Sequence, residues 1–397
     1  MTEWVECTIA DLCDTISETY KGNDECIILV NTSDVFEGKV LNHKTVANKN
    51  LKGQFKKTFK KDDILYSEIR PANKRFAYIN FDNTSNYIAS TKLMVLRHNE
   101  KVLPEYLFAL LKSNYVIAEL QHLAETRSGT FPQITFSSEL APMKVFLPDK
   151  DTQKRIVNIL SSIEQKIEKN TEINKNLEQQ AQAIFKAWFI DFEPFDEKIP
   201  ANWIVSKLGD IASIKTNSFS PVKNPYAQLE HYSIPAYDEQ KYPVFESAEG
   251  VKSNKYILSK NSVMISKLNP DTKRAWRPMC LSDLAVSSTE FIIFEAFNPA
   301  YKDFVFSIID SAAFSDWMCA HTTGSTNSRQ RTTPSATLEF QVALPDEKTI
   351  TDFCAIVTPM YDTISANICE NQKLAQLRDS ILPKLMSGEL DVSDIDL

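Results

Sequence analysis

Residues 167–177 read IEKNTEINKNL, and residues 364–374 read ISANICENQKL. Both stretches place an isoleucine first, asparagines at the fourth and eighth positions, and a leucine at the eleventh. Steps that alternate between three and four residues are typical of the seam along which two α-helices pack as a coiled coil. A seam asparagine fixes register and orientation at a cost in stability. The repeated pattern therefore predicts two long helices that pair with each other.

The seam continues on both sides of each stretch, over residues 156–188 and 353–385. The first seam covers 33 residues, which makes a helix roughly 50 Å long at 1.5 Å of rise per residue. We expect Asp151 or Thr152 to cap this helix, and Gly388 to end the second. The predicted helix-pairing residues are Ile163, Ile167, Asn170, Asn174, Leu177, Met360, Ile364, Asn367, Asn371 and Leu374.

The direction of pairing follows from the repetition. Two such helices in one chain, separated by a domain, pair most simply antiparallel, because the two halves are then related by a pseudo-twofold axis. The alternative is that the asparagines face solvent and mark no seam.

The repeat also extends beyond the helices. Residues 61–75 (KDDILYSEIRPANKR) align without a gap to residues 260–274 (KNSVMISKLNPDTKR), 199 positions later. The Leu-Pro-Asp run at 147–149 returns at 344–346, 197 positions later. The chain is therefore two tandem copies of one unit.

Short apolar stretches and turn residues precede the helical seam in each copy, which predicts a mixed α/β domain followed by a helix. We expect a mixed α+β fold in which two long helices, packed as an antiparallel coiled coil, separate two globular domains. The expected segments are a first globular domain at 1–148, a first helical region at 149–195, a second globular domain at 196–345, and a second helical region with a C-terminal tail at 346–397.

The distribution of charge bears on the partner. The chain has 44 basic and 52 acidic residues, a formal net charge of −8, which argues against nucleic acid if the charge is evenly spread. Residues 49–75, however, hold nine basic and three acidic side chains, and residues 252–277 hold seven and one. Each copy thus carries a segment of net charge +6. A single segment of this kind is commonly a solvated face, but its recurrence favours phosphate binding.

Nucleotide and cofactor loops are excluded by the scarcity of glycine. The chain has eight glycines, and no two lie closer than 15 positions, so neither a Walker P-loop nor a dinucleotide fingerprint can form. Asn224-Pro225-Tyr226 lacks the second proline of an adenine methyltransferase motif. A nuclease interpretation of Pro148-Asp149 with residues 164–166 fails because the latter lie on the predicted helix. The sequence predicts a non-catalytic protein.

Metal sites and membrane insertion are not expected either. The seven cysteines form no C-x-x-C pair and the five histidines show no ligand spacing, which predicts reduced thiols and no structural zinc. The first residues do not form a signal peptide, and no apolar run approaches the length of a membrane span. We expect a cytoplasmic protein.

Several short runs in both copies carry a family resemblance. They are 129–134 (GTFPQI), 147–148 (LP), Gln153, Asn170, Asn174, 177–178 (LE), 181–182 (AQ), Phe185, 188–193 (WFIDFE) and 382–389 (LPKLMSGE). With these runs the chain resembles, over essentially its whole length, the specificity subunit of type I restriction-modification systems. The resemblance implies that each copy is a target recognition domain with a spacer helix, and that each domain reads one half of a split target in double-stranded DNA. It further implies that two modification (methyltransferase) subunits dock on the helices.

The same resemblance assigns the cofactors to partners. It implies S-adenosylmethionine on the modification subunits, and ATP and magnesium on the restriction (translocase) subunits. The second copy departs from the pattern because residues 324–327 (GSTN) lack the Phe131-Pro132-Gln133 run, which puts its equivalent loop in doubt.

Basic side chains in and near the two charged segments are the candidate DNA contacts. Arginines suit guanine, whereas lysines suit phosphates. Two other functions stay open: a helical scaffold that joins two protein-binding domains without touching DNA, and a self-sufficient methyltransferase or nuclease. The candidate DNA-binding residues are Arg70, Lys74, Arg75, Lys92, Arg127 and Thr130 in the first copy, and Lys267, Lys273, Arg274, Arg277, Arg329 and Arg331 in the second.

Overall fold

The computed structural model describes residues 4–49, 53–127, 131–323 and 330–392. The backbone divides into two compact units, one formed by residues 1–166 and 374–397 and the other by residues 167–373. Each unit contains one α/β domain and a part of each of two long helices, α3 and α8. The helices are α1 (Pro104–Leu111), α2 (Asn114–Arg127), α3 (Lys150–Phe189), α4 (Ile234–Gln240), α5 (Lys302–Ile309), α6 (Ala312–Ala320), α7 (Pro334–Thr337) and α8 (Glu347–Ser387).

The α/β domain of the first unit is built on two four-stranded sheets, with strand orders β2-β11-β8-β9 and β6-β3-β10-β7. Strands β1 and β12 form a separate antiparallel pair. The strands are β1 (Val5–Thr8), β2 (Cys13–Ile16), β3 (Cys26–Val30), β4 (Val35–Phe36), β5 (Lys39–Val40), β6 (Thr45–Ala47), β7 (Phe55–Lys57), β8 (Ile64–Ser67), β9 (Phe76–Tyr78), β10 (Tyr87–Ser90), β11 (Leu93–His98) and β12 (Lys144–Leu147).

The second unit repeats this topology. Its sheet β14-β22-β19-β20 corresponds to β2-β11-β8-β9, and its sheet β15-β18-β21-β16-β17 corresponds to the other sheet with one strand added. The pair β3 and β10 and the pair β16 and β21 are both parallel. The strands are β13 (Ile204–Lys207), β14 (Ala212–Lys215), β15 (Ser218–Phe219), β16 (Gln228–Tyr232), β17 (Val244–Ser247), β18 (Lys255–Ile257), β19 (Ser262–Ser266), β20 (Ala275–Trp276), β21 (Ala285–Ser288), β22 (Phe291–Ala296), β23 (Thr322–Thr323), β24 (Arg331–Thr332) and β25 (Gln341–Leu344).

The repeated Leu-Pro-Asp run has one structural role in both copies. The leucine ends β12 or β25, and the aspartate precedes the long helix. Asp149 Oδ1 accepts a hydrogen bond from the Thr152 backbone amide at 2.9 Å, and Asp346 Oδ1 accepts one from the Thr349 amide at 3.0 Å. Asp149 and Asp346 are therefore the N-caps of α3 and α8. The prediction that Asp151 or Thr152 caps the first helix is wrong.

The end of α8 agrees with the sequence pattern. The helix ends at Ser387, and Gly388 has a φ of +76°. A side chain at this position would also lie only 2.6 Å from the Trp4 indole. Glycine is therefore required both for the left-handed backbone and for the close approach of Trp4.

Hydrogen bonds between seam asparagines join α3 and α8 in the second unit. Asn170 Nδ2 donates to Asn371 Oδ1 at 2.9 Å, and Asn367 Nδ2 donates to Asn174 Oδ1 at 2.8 Å. The paired residue number falls by four on α8 as it rises by four on α3, so the helices run antiparallel. Asn170 and Asn174 are buried, which excludes the alternative that they face solvent.

Apolar packing flanks the asparagines in the second unit. Trp188 and Phe189 contact the ring of Phe353, with centroids 6.0 and 4.9 Å apart. Leu177 and Ile364 belong to the same core.

In the first unit, Ile156 and Leu160 of α3 share a core with Leu382 and Leu385 of α8. The helices are thus part of each domain's own core. The mixed α/β fold with a pair of long helices is confirmed.

Candidate nucleic-acid interface

Two basic loops follow equivalent strands. We call residues 68–75 the first basic loop, after β8, and residues 267–274 the second basic loop, after β19. In the first, the Ser67 amide donates to the Arg75 carbonyl at 2.8 Å; in the second, the Ser266 amide donates to the Arg274 carbonyl at 3.0 Å. The hydroxyl of each serine also donates to the carbonyl two residues later. The repeated sequence therefore folds into the same closed loop twice.

A second segment supports each basic loop. The Arg70 amide donates to the Pro132 carbonyl at 3.1 Å, and the Asn269 amide donates to the Gln330 carbonyl at 2.9 Å. Bridges pair Ile69 with Gln133 in the first unit, and residue 268 with residue 331 in the second. Residues 330–332 are therefore the structural counterpart of residues 132–134, although their sequences differ.

The tip of each loop has an unusual backbone. Arg70 and Asn269 have φ values of +46° and +49°, and Lys74 has +52°. Left-handed backbone at a residue other than glycine costs on the order of 1–3 kcal/mol and is found preferentially at functional sites. The Ala72 amide, inside the first tip, donates to Gln121 Oε1 of α2 at 3.0 Å. The left-handed backbone thus occurs at matched positions of the two loops, Arg70 and Asn269, which indicates a shared purpose.

Arg70 is the least constrained cation of the first unit's candidates. Its side chain is exposed and has neither an ion pair nor a side-chain hydrogen bond within the described ranges. Lys74, by contrast, pairs with Glu37 at 2.9 Å. Arg75 donates to the carbonyls of residues 33 and 35 and lies over the Phe36 ring at 5.3 Å.

The other two candidates of the first unit lie beside the supporting segment. Lys92 Nζ is 3.5 Å from Glu68 Oε2 and 3.4 Å from Gln133 Oε1. Arg127, at the end of α2, pairs with Glu139 at 2.9 Å. Thr130 lies outside the described residues.

In the second unit, carboxylates neutralise most of the candidate cations. Lys267 alone, among the candidates that the structure describes here, has no ion pair. The pairs are Lys273 with Asp310 at 2.8 Å, Arg274 with Asp238 at 2.6 Å, Arg277 with Asp303 at 2.7 Å and with Asp362 at 2.8 Å, and Arg331 with Glu290 at 3.0 Å. Arg329 lies outside the described residues.

Arg277 differs from the rest in its burial. Its side chain is 15% exposed, and the paired Asp303 side chain is 4% exposed. Burial lowers the pKa of Arg277, but the two carboxylates more than offset this and raise it overall. Arg277 also lines a cleft with Glu178 of α3 and Tyr361 of α8. These contacts give Arg277 a structural role within the second unit.

Sequence reasoning missed the acidic and amide side chains of the site. Glu68, Gln133 and Glu290 all contact candidate cations. One signal was available, because the ungapped alignment of the two copies places Glu68 opposite Lys267. The sign of the charge is therefore reversed at the first position of the loop.

Neither a metal cluster nor a membrane span emerges from the parts of the chain that the structure describes. No group of three or more histidine, cysteine, aspartate or glutamate side chains there is placed to hold a metal ion. None of the helices described is both long and apolar enough to cross a membrane.

Comparison with known proteins finds similarity to type I restriction enzyme specificity subunits. Residues 1–179 match the model of the type I restriction modification DNA specificity domain. The type I restriction enzyme HindI specificity subunit of Haemophilus influenzae is 47% identical over 204 residues, which are 51% of this chain and 44% of that protein. The chain is therefore similar to type I restriction-modification specificity subunits over about half of its length. The match therefore spans less than half of this H. influenzae specificity subunit.

Two further relatives cover more of the chain. The MjaIX specificity subunit of Methanocaldococcus jannaschii is 26% identical over 330 residues, which are 74% of this chain and 71% of that one. The crystal structure of the specificity subunit from M. genitalium has a TM-score of 0.58 at 16% identity, covering 97% of this chain and 96% of that one. The latter likeness is one of fold.

Proposed function

We propose that the chain is the DNA-recognition subunit of a type I restriction-modification complex, and that each α/β domain reads one half of a bipartite target. The observation that carries the proposal is the twofold occurrence of one loop framework. The same hydrogen bonds close a basic loop and anchor it on a second segment in both units. Two copies of one reading surface suit a target with two half-sites.

The long helices have the role of a spacer in this proposal. Helices α3 and α8 contain 40 and 41 residues, or about 60 Å each at 1.5 Å per residue. The asparagine pairs favour one register of α3 against α8 within the second unit. We propose domain boundaries at 148/149, 195/196 and 345/346, with two modification subunits docked on the helical regions.

In this proposal, the partner subunits carry out the catalytic reactions. The modification subunits would bring S-adenosylmethionine, and restriction (translocase) subunits would bring ATP and magnesium. The chain itself would act without a cofactor, in the cytoplasm, on double-stranded DNA.

The ion pairs and the exposure of the candidate residues shorten the list of proposed DNA contacts. Arg70 and Lys267 would bind phosphates, since their charges are not neutralised by described neighbours. Lys74, Lys92, Arg127 and Arg331 remain proposed contacts because each is accessible beside a loop. We propose that Arg75, Lys273, Arg274 and Arg277 hold the loops in place through their protein partners.

Selection of DNA by the assembled complex tests the proposal. The chain would be co-purified with a type I modification subunit and incubated with a pool of randomised duplexes, and the bound DNA would be sequenced. We expect one enriched motif with two specified halves separated by an unspecified spacer. Loss of DNA binding by a correctly assembled complex would favour the helical scaffold. Binding of S-adenosylmethionine by the chain alone would favour a self-sufficient methyltransferase.

A further inference from the structure

A three-residue cluster lies where the first basic loop meets its supporting segment. Glu68 and Lys92 form an ion pair of 3.5 Å, and Lys92 also contacts Gln133 Oε1 at 3.4 Å. The Glu68 backbone amide donates to the Lys92 carbonyl at 3.0 Å, and the Glu68 carbonyl accepts from the Ile134 amide at 2.9 Å. The basic loop, the end of the neighbouring strand and the supporting segment thus each contribute one side chain to the cluster.

The second unit has a cluster at the equivalent backbone positions. The Lys267 amide donates to the Glu290 carbonyl at 2.9 Å, and its carbonyl accepts from the Thr332 amide at 3.0 Å. Arg331 forms an isolated β-bridge with residue 268, and Gln133 forms the equivalent β-bridge with residue 69. Lys267, Glu290 and Arg331 therefore occupy the places of Glu68, Lys92 and Gln133.

The two clusters share a backbone but not their charges. Glutamate and lysine exchange places between the loop and the strand end, and the third position changes from glutamine to arginine. A common framework with different polar side chains is the arrangement expected of two surfaces that read different base pairs.

We propose that Gln133 and Arg331 are base-reading residues at matched positions of the two half-sites, with Gln133 reading adenine and Arg331 reading guanine. The inference rests on the proposed function and adds the residues and bases that give it specificity. Arginine donates to guanine O6 and N7, whereas glutamine pairs with adenine N6 and N7.

Glu290 is the positioning residue for Arg331. It accepts from Nε and Nη2 of Arg331, both at 3.0 Å. The remaining donors, two on Nη1 and one on Nη2, form the outer edge of the guanidinium. The side chain is 43% exposed, so this edge is available to a base while its orientation is fixed.

The test measures base preference in the assembled complex with modification subunits. Duplexes carrying each of the four base pairs at every position of the selected target would be compared for affinity. With Arg331→Gln, the preference for guanine at one position of one half-site should fall about 10- to 100-fold. The other half-site should be read as before, which shows that the variant is folded. Glu290→Gln should weaken the preference at the same position.

Three further variants separate base reading from a general effect of charge. Arg331→Lys keeps the positive charge but loses the planar guanidinium that donates two parallel hydrogen bonds, and should lose the guanine preference too. Gln133→Ala should relax an adenine in the other half-site. Lys207→Gln is the matched control, a cation paired with Glu339 outside the loop, and should change no preference.

The inference is overturned if Arg331→Gln weakens all duplexes equally, which marks a phosphate contact, or leaves every preference unchanged. Either result leaves the proposed function intact as long as the wild-type complex selects a split motif. Failure of the wild-type complex to select such a motif would instead remove the proposed function.

Discussion

Asn170 and Asn371 lie 201 residues apart in the sequence, yet the side-chain amide of the first donates to the side-chain oxygen of the second at 2.9 Å. The Asn170 side chain is 1% exposed. One helical turn along, Asn174 and Asn367 repeat the bond. A shifted register would place these amides against apolar side chains and leave them without partners. The two bonds therefore select one alignment of α3 and α8.

Removing the Asn170 side chain should destabilise the protein. Asn170→Ala leaves Asn371 Oδ1 without this donor in a partly buried interface, which we expect to cost about 1–3 kcal/mol in the free energy of unfolding. Urea titration measures the loss, and Asn176→Ala, on an exposed part of α3, serves as the control. The double variant Asn170→Ala/Asn371→Ala should cost less than the sum of the single changes. Equal stability of Asn170→Ala and wild type would contradict the role of the bond.

The cap of α8 should make stability depend on acid. Hydrogen bonds from the amide and hydroxyl of Thr349 lower the pKa of Asp346. The unfolded chain therefore takes up this proton first as the pH falls below about 4, and the contribution of the cap is lost as the pH falls further through the folded-state pKa. Asparagine also caps helices but does not titrate. Asp346→Asn should lose less stability than wild type between about pH 5 and pH 2.

Urea midpoints at successive pH values provide this measurement. Asp316→Asn, at an exposed position within α6, controls for the removal of a negative charge. If the free energy of unfolding of Asp346→Asn and of wild type changed equally with pH, the pKa of Asp346 would be the same in the folded and unfolded states.

Lys302 should make stability rise with pH in alkaline solution. Burial, together with the nearby charge of Arg277, lowers the pKa of Lys302 to about 8. Between this value and about 10.4 the unfolded chain holds a proton that the folded chain has released, so stability rises with pH. Lys302→Met should lack this rise in the free energy of unfolding, while Lys223→Met at an exposed site should retain it. Thermal or urea unfolding from pH 7 to 10 would show it, and identical profiles for Lys302→Met and wild type would refute it.

The cations without ion pairs should dominate the salt dependence of DNA binding. Each phosphate contact adds about 0.9 to the slope of log K against log salt. We expect Arg70→Ala and Lys267→Ala each to reduce this slope by about 1, with affinity falling for all sequences alike. Lys74→Ala should change it less, because Glu37 already neutralises that charge. Lys223→Ala is the control, and unchanged slopes for both Arg70→Ala and Lys267→Ala would remove these residues from the interface.

The helix pair could be predicted because its signal is local and repeated. Alternating steps of three and four residues mark the seam, and the same asparagines recur in both copies. The cap was misplaced because the apolar pattern locates a helix face but not its first residue, and Asp149 precedes that pattern. The aspartate of the repeated Leu-Pro-Asp run carried the better signal.

The state of the candidate cations could not be predicted in the same way. Asp238 and Asp310, which pair with Arg274 and Lys273, lie 36 and 37 residues away in the sequence. Only the folded domain brings these groups together, so a count of charges along the chain overestimates the free positive charge. The sign difference between Glu68 and Lys267, by contrast, was visible in the alignment of the two copies.

Mapping of methylated adenines in cells that express the chain with a type I modification subunit would show whether the two domains read a split target. We expect methylation within one motif made of two specified halves, and a change confined to one half when a basic loop of one unit is altered. A continuous motif, or a methylation pattern that does not depend on this chain, would contradict the reading of a split target by two matched domains.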